Sequence, residues 1–71
     1  MINLDEMFMQ EAIREAKKAA ELDEVPIGAV VVYEKKIIAR GYNQVEMLKD
    51  PSAHAEMIAI TQAANTLQSK W

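Results

Sequence analysis

The chain has 71 residues, of which 51% are hydrophobic and 27% charged, with a net charge of -3 and no cysteine. That balance is globular rather than disordered. The size allows one small domain with a thin stability margin, because such a chain buries only about 60 per cent of the surface it exposes when unfolded. Disulfides are excluded, and so are a basic nucleic-acid arm and a polybasic membrane patch; any nucleic-acid contact has to use a local site.

The elements read in chain order as helix, strand, strand, helix. At 100° per residue, Phe8, Met9, Ala12, Ile13, Ala16, Ala19 and Ala20 share one broad face. Gln10, Arg14, Lys17, Lys18 and Glu21 share the other, which predicts a helix from Leu4 to Leu22. Asn3 and Glu6 have capping-box spacing, and Lys17 can pair with Glu21 one turn on. Asp23-Glu24-Val25-Pro26 ends the helix, since the residue before a proline is pushed out of the α region. Gly28 to Tyr33 then reads as a strand. Ala29 to Val32 is apolar throughout rather than alternating, as in a strand covered on both faces. Ile37 to Tyr42 makes a second strand. The short Glu34-Lys35-Lys36 spacer predicts an antiparallel hairpin, and the lack of Gly or Asn there argues against the tightest turn types. Gly41 marks either a bulge or a close backbone approach.

Asn43 to Lys49 reads as a loop. Asp50-Pro51-Ser52 is expected to open the second helix, with Asp50 as its cap and Pro51 at its first position. Ala55, Ile58, Ala59 and Ala63 then face the sheet, with Leu67 near the end. Both strand faces are apolar, so the two helices are expected on opposite sides of the hairpin. The longest apolar run, Ala29 to Tyr33, is far short of the roughly 20 residues that a membrane-crossing helix needs. The N-terminus lacks the positive segment of a secretory signal, so the expectation is a soluble, cytoplasmic chain without a membrane partner.

One cluster carries chemistry: Ser52-Ala53-His54-Ala55-Glu56. Residues two apart on a helix diverge by about 200°, so a solvated histidine beside a glutamate is the plain reading. The other reading places the cluster in the first turn, where side chains project past the open end and the helix dipole favours negative charge. Asn43 is, by itself, either a turn asparagine or a donor–acceptor pair suited to a base edge. The five methionines and Trp71 read as core or former core, not as a cofactor box.

Three blocks occur in order: Asp23-Glu24-Val25-Pro26-Ile27-Gly28-Ala29-Val30, Gly41-Tyr42-Asn43, and Asp50-Pro51-Ser52-Ala53-His54-Ala55-Glu56. Together with the amphipathic first helix they resemble the N-terminal half of the zinc-dependent cytidine/deoxycytidylate deaminase superfamily, above all the tRNA-specific adenosine deaminases. The resemblance implies a helix-strand-strand-helix portion of the α/β/α three-layer, cytidine-deaminase-like fold. It implies that His54 is a zinc ligand and that Glu56 is the proton shuttle outside the coordination sphere. Asn43 then contacts the flipped-out base, the Ala55 amide orients it, and Pro26 and Ile27 line the pocket wall. Zinc lowers the pKa of bound water to about 7, for attack at C6 of adenine or C4 of cytosine. One carboxylate carries the proton to the ring nitrogen and then to the departing amine.

The superfamily completes its zinc site with two cysteines in P-C-x-x-C, and this sequence holds neither these nor a second histidine. Residues 1–71 are therefore expected to be the N-terminal part of a single deaminase domain, inactive alone. The alternatives are an orphan product that has lost the chemistry, or a non-catalytic α/β module that pairs through an exposed strand edge. The substrate expected by resemblance is adenosine at the tRNA wobble position. Guanine and cytosine deaminases share Pro-Ile-Gly-Ala-Val and His-Ala-Glu, so a small nucleobase is the alternative. A homodimer is expected on the same ground.

Overall fold

The computed structural model describes residues 3–68, so the core role read for Met1 and Trp71 lies outside the described residues. Helix α1 spans Leu4–Glu21. Asn3 starts it as an N-cap, its side-chain oxygen accepting the Asp5 amide at 2.8 Å rather than the Glu6 amide that the expected capping box requires. The helix stops one residue before the expected end, where the Leu22 amide donates to the Ala19 and Ala20 carbonyls. Strands β1 (Gly28–Tyr33) and β2 (Lys36–Tyr42) pair antiparallel, and two further helices follow, α2 (Val45–Leu48) and α3 (Ala55–Gln68).

The hairpin turn corrects an expectation. Tyr33 pairs with Lys36, so only Glu34 and Lys35 turn the chain, with φ of 50° and 64°. Two residues at positive φ make the mirror-image turn that matches the right-handed twist of paired strands. Strand pairing imposes that turn on residues with no intrinsic preference for it. The structure decides between the two readings of Gly41. The pairing steps from Val31↔Ala39 to Val32↔Ile37, which leaves Ile38 as an extra residue on β2. The bulge sits there, and Gly41 serves instead as a close approach.

A Cβ on Gly41 would lie 2.6 Å from the Ala55 carbonyl oxygen and 3.0 Å from the Ala59 nitrogen, so α3 rests directly on this strand. A Cβ on Gly28 would run into the Ala12 carbonyl oxygen and the Ala16 nitrogen of α1. Gly28 stands opposite Tyr42 and Gly41 opposite Ala29, one residue along the strand. Neighbouring residues on a strand face opposite sides, so α1 and α3 cover opposite faces, as the sequence implied. Between the layers the buried side chains are small: Ala19, Ala39, Ala55, Ala59 and Ala63.

The apolar face of α1 is only partly covered. Phe8, Ala12 and Ala16 are half-buried, whereas Met9, Ile13 and Ala20 are exposed. Among the described residues the hairpin is two strands wide, with β2 the strand paired to β1. The expected Lys17–Glu21 pair is not among the ion pairs of the described residues. Lys18 and Arg40 instead converge on the carboxylate of Glu15, which is 2% exposed. No helix among the described residues is long and apolar enough to cross a membrane.

Candidate active-site end of the hairpin

The chemistry-bearing residues gather where β2 ends and α3 begins. The Asn43 amide continues the ladder, donating to the Ile27 carbonyl at 3.0 Å. Its neighbour Gln44 donates to the Ala53 carbonyl at 2.9 Å, which ties the segment after β2 to the segment before His54. The structure thus brings Asn43 and the His54–Glu56 stretch to one end of the sheet.

Helix α3 starts at Ala55, not at Asp50-Pro51-Ser52. The Asp50 carboxylate accepts the Ser52 amide at 2.9 Å and the Ser52 hydroxyl at 2.7 Å, and the Asp50 carbonyl accepts the Ala53 amide. These local bonds make a closed turn that competes with helix, the usual behaviour of aspartate followed two residues on by a donor. The same bonds hold the Asp50 carboxyl below the usual carboxylate range, the Ser52 hydroxyl contributing most. His54 therefore stands just before the helix, its carbonyl accepting the Ile58 amide at 3.0 Å. His54 and Glu56 are exposed, while the intervening Ala55 is buried against Gly41. Pro26 and Ile27 are both exposed, and Ile27 contributes its carbonyl to the ladder.

Asn43 is 4% exposed, and its side-chain oxygen is buried with no hydrogen-bond partner among the described residues. A buried acceptor left unpaired costs about 1–3 kcal/mol, so it is found where something else satisfies it. A buried carboxylate caps the segment that follows Asn43. Glu24, 6% exposed, accepts the Glu46 amide at 3.0 Å and the Met47 amide at 2.6 Å. These bonds cap α2 from a residue more than twenty positions away, which is why a segment that reads as loop becomes helix. The signal was available in the Asp-Glu-Val-Pro block: an acidic residue two positions ahead of the proline, at the break between helix and strand.

A cavity of about 710 Å³ lined by Leu48, Ala53, Met57, Ile58 and Gln62 lies beside α3, and His54, Glu56 and Asn43 are not part of its wall. It belongs to the flank of α3 opposite Glu56. Among the described residues no three histidine, cysteine or acidic side chains come close enough to hold a metal ion. A catalytic zinc takes three protein ligands, and the chain offers one imidazole and no thiolate. The donor set of this chain alone does not fit the metal.

The chain shares 61% identity over 66 residues with the chloroplastic tRNA(adenine(34)) deaminase of Arabidopsis thaliana, covering 93% of this chain and 5% of that protein. A solved tRNA:A34 deaminase superposes with a TM-score of 0.88 at 44% identity, over 93% of this chain and 51% of that one. The guanine deaminase of Bacillus subtilis superposes with a TM-score of 0.85 at 38% identity, over 94% and 43%. The chain thus spans about half the length of these solved relatives. Residues 2–71 match the cytidine and deoxycytidylate deaminase zinc-binding region, and the chain belongs to that family.

Proposed function

We propose that these residues form the base-reading and proton-transferring half of a nucleobase deaminase that converts adenosine to inosine at the tRNA wobble position. The observation that carries the reading is the buried, unpartnered Asn43 oxygen at the end of β2. An exocyclic amine on a purine supplies the donor that this oxygen lacks. Glu56, exposed on the first turn of α3, is free to move a proton between solvent and a bound base. His54 offers one nitrogen ligand, and the zinc expected of the family requires two more ligands from outside this chain. The Ala55 amide at the head of α3 orients the base in this reading, and Pro26 and Ile27 border it. Identity with two adenosine-34 deaminases supports tRNA as the partner. By this reading the reaction is a cytoplasmic hydrolysis carried out by a homodimer.

The test joins this chain to the C-terminal half of the solved tRNA:A34 deaminase and measures inosine in an anticodon stem-loop, with zinc content recorded in parallel. The chain alone is expected to hold no zinc with sub-micromolar affinity, and the chimera about one per chain. Glu56→Gln should keep the zinc and slow turnover by at least about 10²–10⁴. Asn43→Ala should keep the zinc and weaken base binding by about 1–3 kcal/mol. A folded, zinc-loaded chimera that deaminates guanine and leaves the stem-loop untouched would favour the second reading, which the guanine deaminase superposition supports.

A further inference from the structure

Two carboxylates are buried among the described residues, and they face different partners. Glu15 lies against two cations, the Lys18 ammonium at 2.9 Å and the Arg40 guanidinium at 3.5 Å. Glu24 is bridged by no cation among the described residues. Its Oε1 accepts the Glu46 amide and its Oε2 the Met47 amide. Lys18 and Arg40 reach Glu15 on flexible stems, whereas consecutive amides at a helix start point in one fixed direction. Glu15 thus gathers charge, and Glu24 sets the course of the backbone. The Glu24 carboxylate is itself firmly placed. Asp23, at φ of 59°, lets the Glu24 amide turn back to the Ala19 carbonyl at 3.0 Å, while the Asp23 amide donates to the Ala20 carbonyl at 3.1 Å. That pair of bonds is the Schellman end of a helix, and here it is built on the fully buried Ala19.

What Glu24 grips is short and adds nothing to the core. None of the four residues of α2 is buried. The Gln44 side chain, at the position that usually supplies the N-cap oxygen, makes no cap bond. Glu24 provides that cap from the end of α1. Taking a carboxylate out of water is costly, and here no packing of α2 side chains offsets it. What the bonds do fix is a position. The Gln44 amide donates to the Ala53 carbonyl at 2.9 Å, so Gln44 to Ala53 is a closed loop with α2 as its one regular side. Asn43 lies immediately before that loop and His54 immediately after it.

We propose that Glu24 is a positioning residue for the base: by tethering α2 to the end of α1 it holds the closed loop in place, and with it the Asn43 side chain. The proposal rests on the deaminase reading, in which the buried Asn43 oxygen accepts the exocyclic amine. Glu24 touches neither base nor metal. It acts through Asn43, so it governs how tightly the base is held and leaves proton transfer to Glu56 on α3. The two amide bonds are charge-assisted, which makes them strong enough to fix a helix this short against its own fraying.

The zinc-loaded chimera with the C-terminal half of the solved tRNA:A34 deaminase tests it, by KM and kcat on the anticodon stem-loop and by amide exchange followed by NMR. Glu24→Ala should keep about one zinc per chain and raise KM at least about fivefold, with kcat within about twofold of the parent. Glu24→Gln keeps one acceptor and should fall between the two, so the test survives if the alanine variant fails to fold. The deciding measurement is a double-variant cycle with either substitution. With Asn43→Ala in place, the change at Glu24 should raise KM less than about twofold further, because residues acting through one contact are not additive. A merely structural role gives independent losses that add. Additive losses would overturn the proposal, as would a Glu24→Ala that lowers kcat and leaves KM unchanged. Exchange needs no turnover and separates this proposal from the reading beneath it. In Glu24→Ala the Gln44 amide should exchange at least about tenfold faster while the α1 amides hold. An active chimera whose Gln44 amide is indifferent to Glu24→Ala overturns the tether alone. An inactive parent chimera overturns the deaminase reading and the role toward the base with it, while a faster Gln44 amide there still upholds the tether.

Discussion

At one end of the hairpin the chain turns through Glu34 and Lys35, both exposed, and no buried polar group is involved. At the other end Gly28 and Tyr42 open onto Glu24, Asn43 and the head of α3, where a buried carboxylate and a buried amide stand within a few residues of two backbone-to-backbone contacts. The first end is governed by local strand twist and tolerates change. The second is governed by contacts between residues far apart in sequence, and each of its parts positions another. The candidate site residues lie at the second end, beside Glu24 and Asn43, two of the polar groups that the described residues hold out of water.

The largest effect on this comparison comes from Gly28→Val. A side chain there meets the backbone of Ala12 and Ala16, which cannot rotate away as a side-chain tip can. Overpacking costs about 1–3 kcal/mol and more where backbone must move. Against the total of about 4–10 kcal/mol expected for a chain of this size, that separates α1 from the sheet. Urea unfolding followed by circular dichroism should show a lost or strongly lowered transition. An unchanged midpoint would mean that α1 does not rest on β1 as described.

Next in size is Glu24→Ala. It leaves the Glu46 and Met47 amides without their carboxylate, and charge-assisted bonds of this kind are about twice as strong as neutral ones. The expected loss is about 1–3 kcal/mol, with faster amide exchange confined to residues 43–48. Glu24→Gln, which keeps one acceptor, should lose less. Equal exchange at α1 and at α2 in the alanine variant would show that Glu24 acts on the whole fold and not on this end.

The same contrast explains what the sequence revealed. The α1 periodicity, the two strands, the opposite placement of the helices and the glycine approaches follow from local pattern, because Ala12, Ala16, Ala55 and Ala59 announce close packing on a strand. Helix α2 and the late start of α3 do not. One depends on a carboxylate from Glu24, the other on a side-chain turn at Asp50 that wins over proline's preference for a first helical position. His54 and Glu56 were visible as a motif. The burial of the Asn43 oxygen was not, since an asparagine after a strand most often faces water.

The turn end offers a gain instead of a loss. Glu34 and Lys35 hold positive φ at a steric cost that asparagine and glycine avoid. Replacing them by Glu34→Asn and Lys35→Gly should raise stability by about 1 kcal/mol, read as a higher urea midpoint at unchanged slope. Exchange of the Asn43 and Glu46 amides should not respond beyond the global gain. A selective change there would mean that the two ends are coupled along the strands.

The smallest effect lies in the turn that leads into His54. The Ser52 hydroxyl, and after it the Ser52 amide, lower the pKa of the Asp50 carboxyl, with slight desolvation opposing them. A carboxyl whose folded pKa lies below its unfolded value adds stability above the unfolded pKa, and that contribution disappears as pH falls through the folded pKa. Acidification should therefore loosen the Asp50–Ala53 turn only as pH falls below the ordinary carboxylate range and through the lowered pKa of Asp50. Ser52→Ala removes the first-ranked cause and leaves the amide bond, so the Asp50 titration, followed by its carboxyl carbon shift, should move up toward the ordinary carboxylate range without reaching it. If Asp50 titrates unchanged in Ser52→Ala, the hydroxyl bond does not hold the turn, and the start of α3 at Ala55 needs another cause.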